Sequence, residues 1–182
     1  MNESLDNEII SQTKSWIKQI VIGLNFCPFA AQPFNDNSIN YIILDSSNLN
    51  FILEELIREC NRMDTDEATD TSLLILTTGW KSFNNYLDLL DLAEKIVAEE
   101  GLEGIYQIAS FHPDFLFAGS TENDASNYTN RSPYPMLHIL REEQVEKAIK
   151  KHKDIHSIPH ANISKANELG VNYFNNLNYT NN

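Results

Sequence analysis

The chain has 182 residues, a length that fits one domain with its own hydrophobic core. Hydrophobic residues make up 42% and charged residues 21% of the sequence, which is typical of globular proteins and excludes an intrinsically disordered chain. The formal net charge is -13. Nucleic acids and anionic membranes require clustered Lys and Arg, so we expect neither as a partner, although an arginine site for a small anion is compatible with this charge.

The compartment is inferred from the cysteines and the first residues. Only Cys27 and Cys60 are present, and MNESLDNEIISQTK has neither the basic start nor the apolar stretch of a secretory signal. No apolar run approaches the roughly 20 residues that span a bilayer. We therefore expect a soluble cytoplasmic protein with two free thiols.

The predicted elements alternate between helices and strands. Apolar residues recur at spacings of three and four over residues 4–24, which predicts an amphipathic helix that ends near Gly23. Residues 38–45, 71–78 and 104–111 are short apolar or β-branched stretches, typical of strands. Residues 50–60 and 80–100 repeat the helical spacing, and Gly101 suits a left-handed cap after the second of these helices.

Residues 135–152 (PMLHILREEQVEKAIKKH) admit two interpretations. Pro135 suits a first helical turn and Glu, Lys and Ala dominate the second half, so we expect a helix throughout. The rival is a fourth strand over 136–140 followed by a helix, which would suggest a ferredoxin-like arrangement. Residues 171–182 are rich in Asn and predict a frayed tail after the domain, which covers residues 1–170.

This order of elements predicts an α/β or α+β fold. Strands that alternate with helices favour parallel pairing, with the helices covering the sheet. We expect a single compact domain with a long N-terminal helix and a small, mostly parallel or mixed sheet of three to four strands.

Residues 111–134 lack a helical or strand period. Structureless connections longer than about 12 to 15 residues are usually functional or disordered. Composition favours order, because the segment and its end carry five aromatic residues and three prolines: Phe111, Phe115, Phe117, Tyr128 and Tyr134, with Pro113, Pro133 and Pro135. Ligands of open α/β sheets bind beyond the carboxyl ends of strands, so we expect the functional site at this loop.

Several polar residues of the loop are candidates for that site. His112 would lie at the strand end as a general base or metal ligand, or it would only anchor the loop on a carbonyl, with Asp114 capping a turn. Asn130, Arg131 and Ser132 precede the predicted helix, where free N–H groups and an arginine fork favour an anion. A capping turn explains the same residues equally well.

Three further candidates follow the loop, and one precedes it. On a helix, His138, Arg141 and Glu142 would share a face, as a base with its partners, as metal ligands, or as a surface ion pair. Cys27 would be a nucleophile or ligand if nearby cations lowered the pKa of its thiol, and otherwise a buried structural thiol.

No sequence motif names a cofactor. The chain has no glycine-rich phosphate loop, HExxH, GxSxG or CxxC. Metal binding and oligomeric state are left open by the sequence.

Three long strings carry a family resemblance: IGLNFCPFA, YQIASFHPDFLFAG and NYTNRSPYPMLHILRE. In this order they resemble the bacterial family known as domain of unknown function 1415, over the chain from the first helix to about residue 170. The resemblance implies a bacterial cytoplasmic setting and no particular chemistry. The motif positions in this sequence are Cys27, His112, Pro113, Asn130, Arg131, Pro133, His138, Arg141 and Glu142.

Two main functional hypotheses follow. The first is a small enzyme or small-molecule-binding protein, whose His112 or His138 acts as base or metal ligand and whose Arg131 and Arg141 hold an anionic group. It requires His112, His138, Arg131 and Cys27 to converge. The second is a non-catalytic interaction domain that exposes Phe115, Phe117 or Tyr128. A third hypothesis is a structural metal site whose ligands are Cys27 and histidines.

Overall fold

A four-stranded mixed sheet lies at the centre of the computed structural model, which describes residues 3–151 and 157–177. Its strands are β1 (Ile39–Leu44), β2 (Thr71–Leu76), β3 (Tyr106–Phe111) and β4 (Met136–Arg141), in the order β1-β2-β4-β3. β1 and β2 are parallel, whereas β4 runs antiparallel to both β2 and β3. The predicted α/β class, with a mixed sheet and a single domain, is confirmed.

Seven α-helices are found among the described residues: α1 (Glu3–Trp16), α2 (Ala31–Asp36), α3 (Leu49–Thr65), α4 (Phe83–Glu99), α5 (Glu142–Lys151), α6 (Ile158–Leu169) and α7 (Val171–Asn175). α3 and α4 begin at side-chain caps, where Asn48 and Ser82 accept hydrogen bonds from backbone N–H groups. Gly101 follows α4 with φ of +73°, as its predicted role requires. None of the helices in the described part of the chain is long and apolar enough to cross a bilayer.

One face of the sheet is covered by α3 and α4, and we call it the α3/α4 face. Three strand residues, Leu74, Leu137 and Ile139, pack there against Leu56 of α3 and Tyr86 of α4. All five side chains are fully buried. Each large apolar side chain buried in this way contributes about 1.5–3 kcal/mol to folding. This layer is the main core of the protein.

The opposite face is covered by the N-terminal helix, α6 and α7, and part of it is left open to a cavity; we call it the cavity face. Trp16 and Ile20 pack there with Ile75 and Met136 of the sheet. The indole Nε1 of Trp16 also donates a hydrogen bond to the carbonyl of Arg131, at 2.9 Å. The N-terminal helix is therefore tied both to the sheet and to the loop after β3.

The predicted helix over residues 4–24 changes its winding halfway. After α1, residues Ile17–Ile22 form a π-helix, in which the Gly23 N–H donates to the Lys18 carbonyl at 3.0 Å. A Cβ at Gly23 would overlap the carbonyl oxygen of Gln19, so glycine is required where this wider turn ends. π-helical segments are rare and often lie at functional sites.

The prediction of one helix over residues 135–152 is wrong, and the rival interpretation is correct. Residues 136–141 form β4, which hydrogen-bonds to a strand on each side, and the helix begins only at Glu142. Side chains alternate between the two faces, because Leu137 and Ile139 enter one cluster and Met136 the other. The element order and the parallel pairing of β1 with β2 nevertheless differ from a ferredoxin-like sheet.

The expected fraying after residue 170 does not extend to residues 171–175. These residues form α7, and Phe174 is 4% exposed and stacks on Tyr128 with ring centroids 4.5 Å apart. The stacking of buried Phe174 on partly buried Tyr128 offsets the entropy of ordering a short polar helix. Residues 178–182, which belong to the same prediction, lie outside the described residues.

The buried carboxylate of Glu59 links α3 to the sheet on the α3/α4 face. It is 4% exposed and accepts hydrogen bonds from Arg62, Asn40 and Ser72. Burial raises the pKa of the Glu59 carboxyl, but these hydrogen bonds outweigh burial and hold it below its ordinary value. Asn40 of β1 and Ser72 of β2 therefore both depend on one side chain of α3 for a hydrogen-bond acceptor.

We expect Glu59→Gln to lower the free energy of unfolding by about 2 kcal/mol, because Arg62 loses one of its two carboxylate partners and the new amide N–H group faces donors that Glu59 had accepted from. Urea denaturation at pH 7 measures this. The matched control is Glu146→Gln, whose carboxylate pairs with Lys150 on an exposed surface and whose loss changes stability very little. Equal effects of the two substitutions would contradict the structural role of Glu59.

Candidate functional site

The loop between β3 and β4 is ordered, as predicted, by polar side chains that bind its own backbone. The Asn127 Oδ1 accepts hydrogen bonds from the Phe117 N–H (3.0 Å) and the Ser120 hydroxyl (2.8 Å), and its Nδ2 donates to the Thr121 carbonyl (2.8 Å). Residues Ala125–Thr129 form a 3-10 turn. Asn127 is completely buried, so the loop is built around this amide.

Arg131 serves the same loop. Its Nε donates to the carbonyl of Phe115 at 3.2 Å and one terminal nitrogen donates to the carbonyl of Glu122 at 3.0 Å. The guanidinium also lies 4.6 Å from the centroid of the Tyr128 ring. Its donors are thus directed at the loop, away from the other predicted site residues.

The remaining loop candidates also contact backbone groups. Asn130 donates to the Ser110 carbonyl (3.2 Å), and the Ser132 hydroxyl donates to the Tyr134 carbonyl (2.6 Å). Asp114 is exposed. The segment is followed by strand β4 instead of a helix. The helix N-terminus that was predicted to bind an anion is therefore not formed.

The aromatic residues of the loop divide between core and surface. Phe115 is 8% exposed and packs on Phe83 with ring centroids 5.3 Å apart, whereas Phe117 is 38% exposed. Tyr128 is partly buried against α7. The interaction-domain hypothesis expects Phe115, Phe117 or Tyr128 at the surface, and of these three rings Phe117 is exposed.

His112 lies on the α3/α4 face and is fully buried. Its Nε2 contacts the Trp80 carbonyl at 3.0 Å, and its Nδ1 accepts from the Asp114 N–H at 3.0 Å. A carbonyl can only accept, so Nε2 carries the proton and both ring nitrogens are occupied. Burial lowers the pKa of His112, against the opposing effects of the Trp80 carbonyl and the Asp114 charge. His112 thus anchors the loop and has no nitrogen left for a ligand.

Arg141 lies at the end of β4, where it binds the carboxyl end of α3. Its guanidinium donates to the carbonyls of Met63, Asp66 and Thr69 and lies 3.2 Å from the Tyr106 hydroxyl. A cation at this helix end is stabilised by the helix dipole. Glu142 begins α5, so the predicted helix face that joins His138, Arg141 and Glu142 does not exist.

A cavity of about 680 Å³ opens on the cavity face. Its floor is the sheet, through Thr71, Leu73, Ala109 and His138, and its walls come from three other segments. These are the N-terminal helix with its π-helical part, residues 27–33, and α5; the lining residues include Trp16, Ile17, Val21, Cys27, Phe29, Gln144, Val145 and Ala148. The π-helix thus forms a wall of this cavity, through Ile17 and Val21.

His138 lies in the middle of that floor, between Leu73 of β2 and Ala109 of β3. Its Nε2 is 2.6 Å from the Thr71 hydroxyl oxygen, and that hydroxyl donates to the Ile139 carbonyl, also at 2.6 Å. Phe111 flanks the ring at a centroid distance of 6.0 Å. Burial lowers the pKa of His138 to about 4, so the imidazole is neutral at pH 7.

Cys27 lines the same cavity from the segment after the π-helix. Burial raises the pKa of its thiol, and hydrogen bonds from the Phe29 and Ala30 backbone oppose this effect without reversing it. The thiol is therefore protonated at pH 7, which disfavours it as a nucleophile. His138 and Cys27 share one cavity, whereas His112 and Arg131 lie elsewhere, so only two of the four predicted side chains come together.

Several polar cavity residues were not predicted: Asp70, Thr71, Gln107, Gln144 and Lys147. Asp70 accepts a hydrogen bond from Gln144 at 2.8 Å, and Lys147 pairs with Glu143 at 2.6 Å. Thr71 had a signal in the sequence, since it and Ser72 are the two polar residues that begin an apolar strand. Gln107 had none without the register of β3. Among the described residues, no group of three or more His, Cys, Asp or Glu side chains could hold a metal ion.

The chain belongs to the family described as "Protein of unknown function (DUF1415)", whose model matches residues 8–176. This match confirms the resemblance carried by the three strings and extends it into the segment of α7. Comparison with the curated proteins gives no match, and comparison with the solved structures gives none either.

The lowered pKa of His138 predicts a pH dependence of stability. An unfolded histidine titrates near pH 6.5, whereas His138 in the fold titrates near pH 4, so the unfolded state binds more protons between these values. The stability that neutral His138 provides is therefore present above pH 6.5 and is lost as the pH falls towards 4. For a pKa difference of this size the loss is roughly 3 kcal/mol.

We expect His138→Gln, whose amide can still donate to Thr71, to show a smaller fall in the free energy of unfolding over this range. Urea denaturation of both proteins from pH 7.5 to 4.5 measures the difference. His112 and the carboxylates titrate in both proteins, so the comparison isolates His138. Parallel stability curves would refute a His138 that stays neutral in the folded protein down to about pH 4.

Proposed function

We propose that this member of the family binds a small organic molecule in the cavity on the sheet, with an apolar body against the walls and a polar head at His138. The observation that carries the proposal is a cavity of about 680 Å³ with a neutral histidine held by Thr71 at its floor. Small-molecule sites of roughly 300–1,000 Å³ combine apolar walls with a few placed polar groups. This cavity has both properties.

The walls support an apolar body. The cavity is lined by five large apolar side chains: Trp16, Ile17, Val21, Phe29 and Val145. An occupant would remove this apolar surface from water, which contributes roughly 25 cal/mol per Å² before the costs of association. Binding is therefore favoured for a largely apolar molecule.

The charges around the cavity support a neutral ligand. They do not support the anionic ligand that Arg131 and Arg141 were predicted to hold. Arg131 directs its donors at loop carbonyls, and Arg141 directs its donors at the end of α3. Lys147 pairs with Glu143. The positive groups near the site thus have partners already, and the head group of the ligand would meet an uncharged imidazole.

Recognition is better supported than catalysis. Two of the predicted catalytic residues line the cavity, His138 and Cys27, and burial holds the imidazole and the thiol in their neutral forms at pH 7. A base whose pKa is near 4 is weak at neutral pH, and a protonated thiol is a poor nucleophile. We therefore place the protein in the binding class.

The proposed setting is the bacterial cytoplasm. Cys27 and Cys60 are free cysteines, which is the usual state of thiols in a reducing compartment. The family resemblance supports the same setting.

Filling the cavity tests the proposal. Ala109 lies beside His138 on the cavity floor, so we expect Ala109→Phe to weaken binding of the neutral fluorophore N-phenyl-1-naphthylamine at least about tenfold. The probe's fluorescence increase on titration gives the Kd. The matched control is Ala98→Phe on the exposed side of α4, which leaves the Kd unchanged. No saturable binding to the wild type, or equal binding to both variants, would refute the cavity as the site.

A further inference from the structure

The hydrogen bonds of Thr71 determine which nitrogen of His138 carries the proton. The Thr71 hydroxyl has one hydrogen, and it donates that hydrogen to the Ile139 carbonyl, which can only accept. The same hydroxyl lies 2.6 Å from the His138 Nε2, so there it must act as the acceptor. Nε2 therefore carries the proton, and in a neutral imidazole Nδ1 is left with a lone pair.

This Nδ1 faces no donor within the described parts of the chain. None of the hydrogen bonds of residues 3–151 and 157–177 reaches it, and no fully enclosed side-chain nitrogen or oxygen there lacks a partner. Nδ1 must then be accessible, and the space that His138 lines is the cavity. The floor of the cavity thus presents one hydrogen-bond acceptor in a fixed position.

His112, which lies on the other face of the sheet, shows by comparison that this is a specific property of His138. His112 is also held as the Nε2–H form by a carbonyl, but its Nδ1 accepts a hydrogen bond from the Asp114 N–H. Both nitrogens of His112 are therefore used by the fold. In His138 the fold uses one nitrogen and leaves the other for an occupant of the cavity.

We propose that the ligand of this cavity is a neutral molecule whose head group is a hydrogen-bond donor, an O–H or N–H that binds the His138 Nδ1. This inference rests on the proposed function and specifies its ligand class. An alcohol, phenol or amide N–H meets the lone pair directly. An ether places its own lone pair against Nδ1, and a carboxylate adds the cost of removing a charge from water.

The selectivity has a simple physical origin. A donor that leaves water for the cavity regains its hydrogen bond at Nδ1, whereas an analogue without the donor leaves Nδ1 buried and unpaired. Sites built to bind a polar group discriminate strongly against analogues that lack it. Thr71 is a positioning residue here, because it fixes the tautomer without contacting the ligand.

Three naphthalene derivatives with a similar apolar body test the ligand class: 2-naphthol, 2-methoxynaphthalene and 2-naphthoate. We expect the wild-type protein at pH 7 to bind 2-naphthol about tenfold more tightly than the methyl ether, and 2-naphthoate most weakly. In His138→Leu the first two compounds should bind with Kd values within about twofold of each other. Isothermal titration calorimetry measures all six constants.

A spectroscopic measurement on the wild type makes the test independent of how well the variant folds. Long-range ¹H–¹⁵N correlation of His138 should show Nε2 protonated and Nδ1 unprotonated, with the Nδ1 signal shifting when 2-naphthol is added. A protonated Nδ1, or a methyl ether that binds as tightly as the naphthol, overturns the inference but leaves the cavity as a binding site. Failure of all three compounds to bind overturns the proposed function and the inference with it.

Discussion

The position of β4 is the constraint on which the rest of the structure depends. Because it lies antiparallel between β2 and β3, it completes the hydrogen bonds of both neighbours and joins the parallel β1–β2 pair to the strand that would otherwise stand alone. Its alternating side chains then serve two layers: Leu137 and Ile139 close the core under α3 and α4, and His138 forms the floor of the cavity. A one-residue shift of this strand would exchange the two sets, so core packing and the position of the histidine are determined together.

The long loop before β4 supports this arrangement by using polar side chains to satisfy backbone groups. Asn127 and Arg131 hold carbonyls and N–H groups of the loop, and the Arg131 carbonyl accepts the indole hydrogen bond of Trp16. Trp16 in turn lines the cavity just before the π-helix begins. The loop therefore acts on the candidate site indirectly, by fixing the wall that faces His138.

The sequence was sufficient for elements whose local pattern agrees with their environment. The buried strand β2, the capped helix α4 and the ordered aromatic loop were all predictable from apolar spacing, Gly101 and ring content. β4 was not, because Pro135 and the charged residues after Arg141 favour a helix, while the sheet pairing that decides the outcome comes from strands far away in the sequence. The site shared this difficulty: His138 was predicted, but its partner Thr71 lies 67 residues away and is revealed only by the register of β2 against β4.

The distribution of charge gives a reason for a neutral ligand that is independent of the tautomer of His138. The chain carries a net charge of -13, and the cavity presents a neutral imidazole, a protonated thiol, a lysine paired with Glu143 and the carboxylate of Asp70, which accepts a hydrogen bond from Gln144. A strongly acidic surface lowers the local concentration of anions around the protein, which slows their association with any opening on it. An anion would then also have to lose its hydration in an apolar space where the cations among the described lining residues, Arg141 and Lys147, already have partners. A neutral donor meets neither barrier, so the acidic surface and the cavity lining favour the same class of ligand.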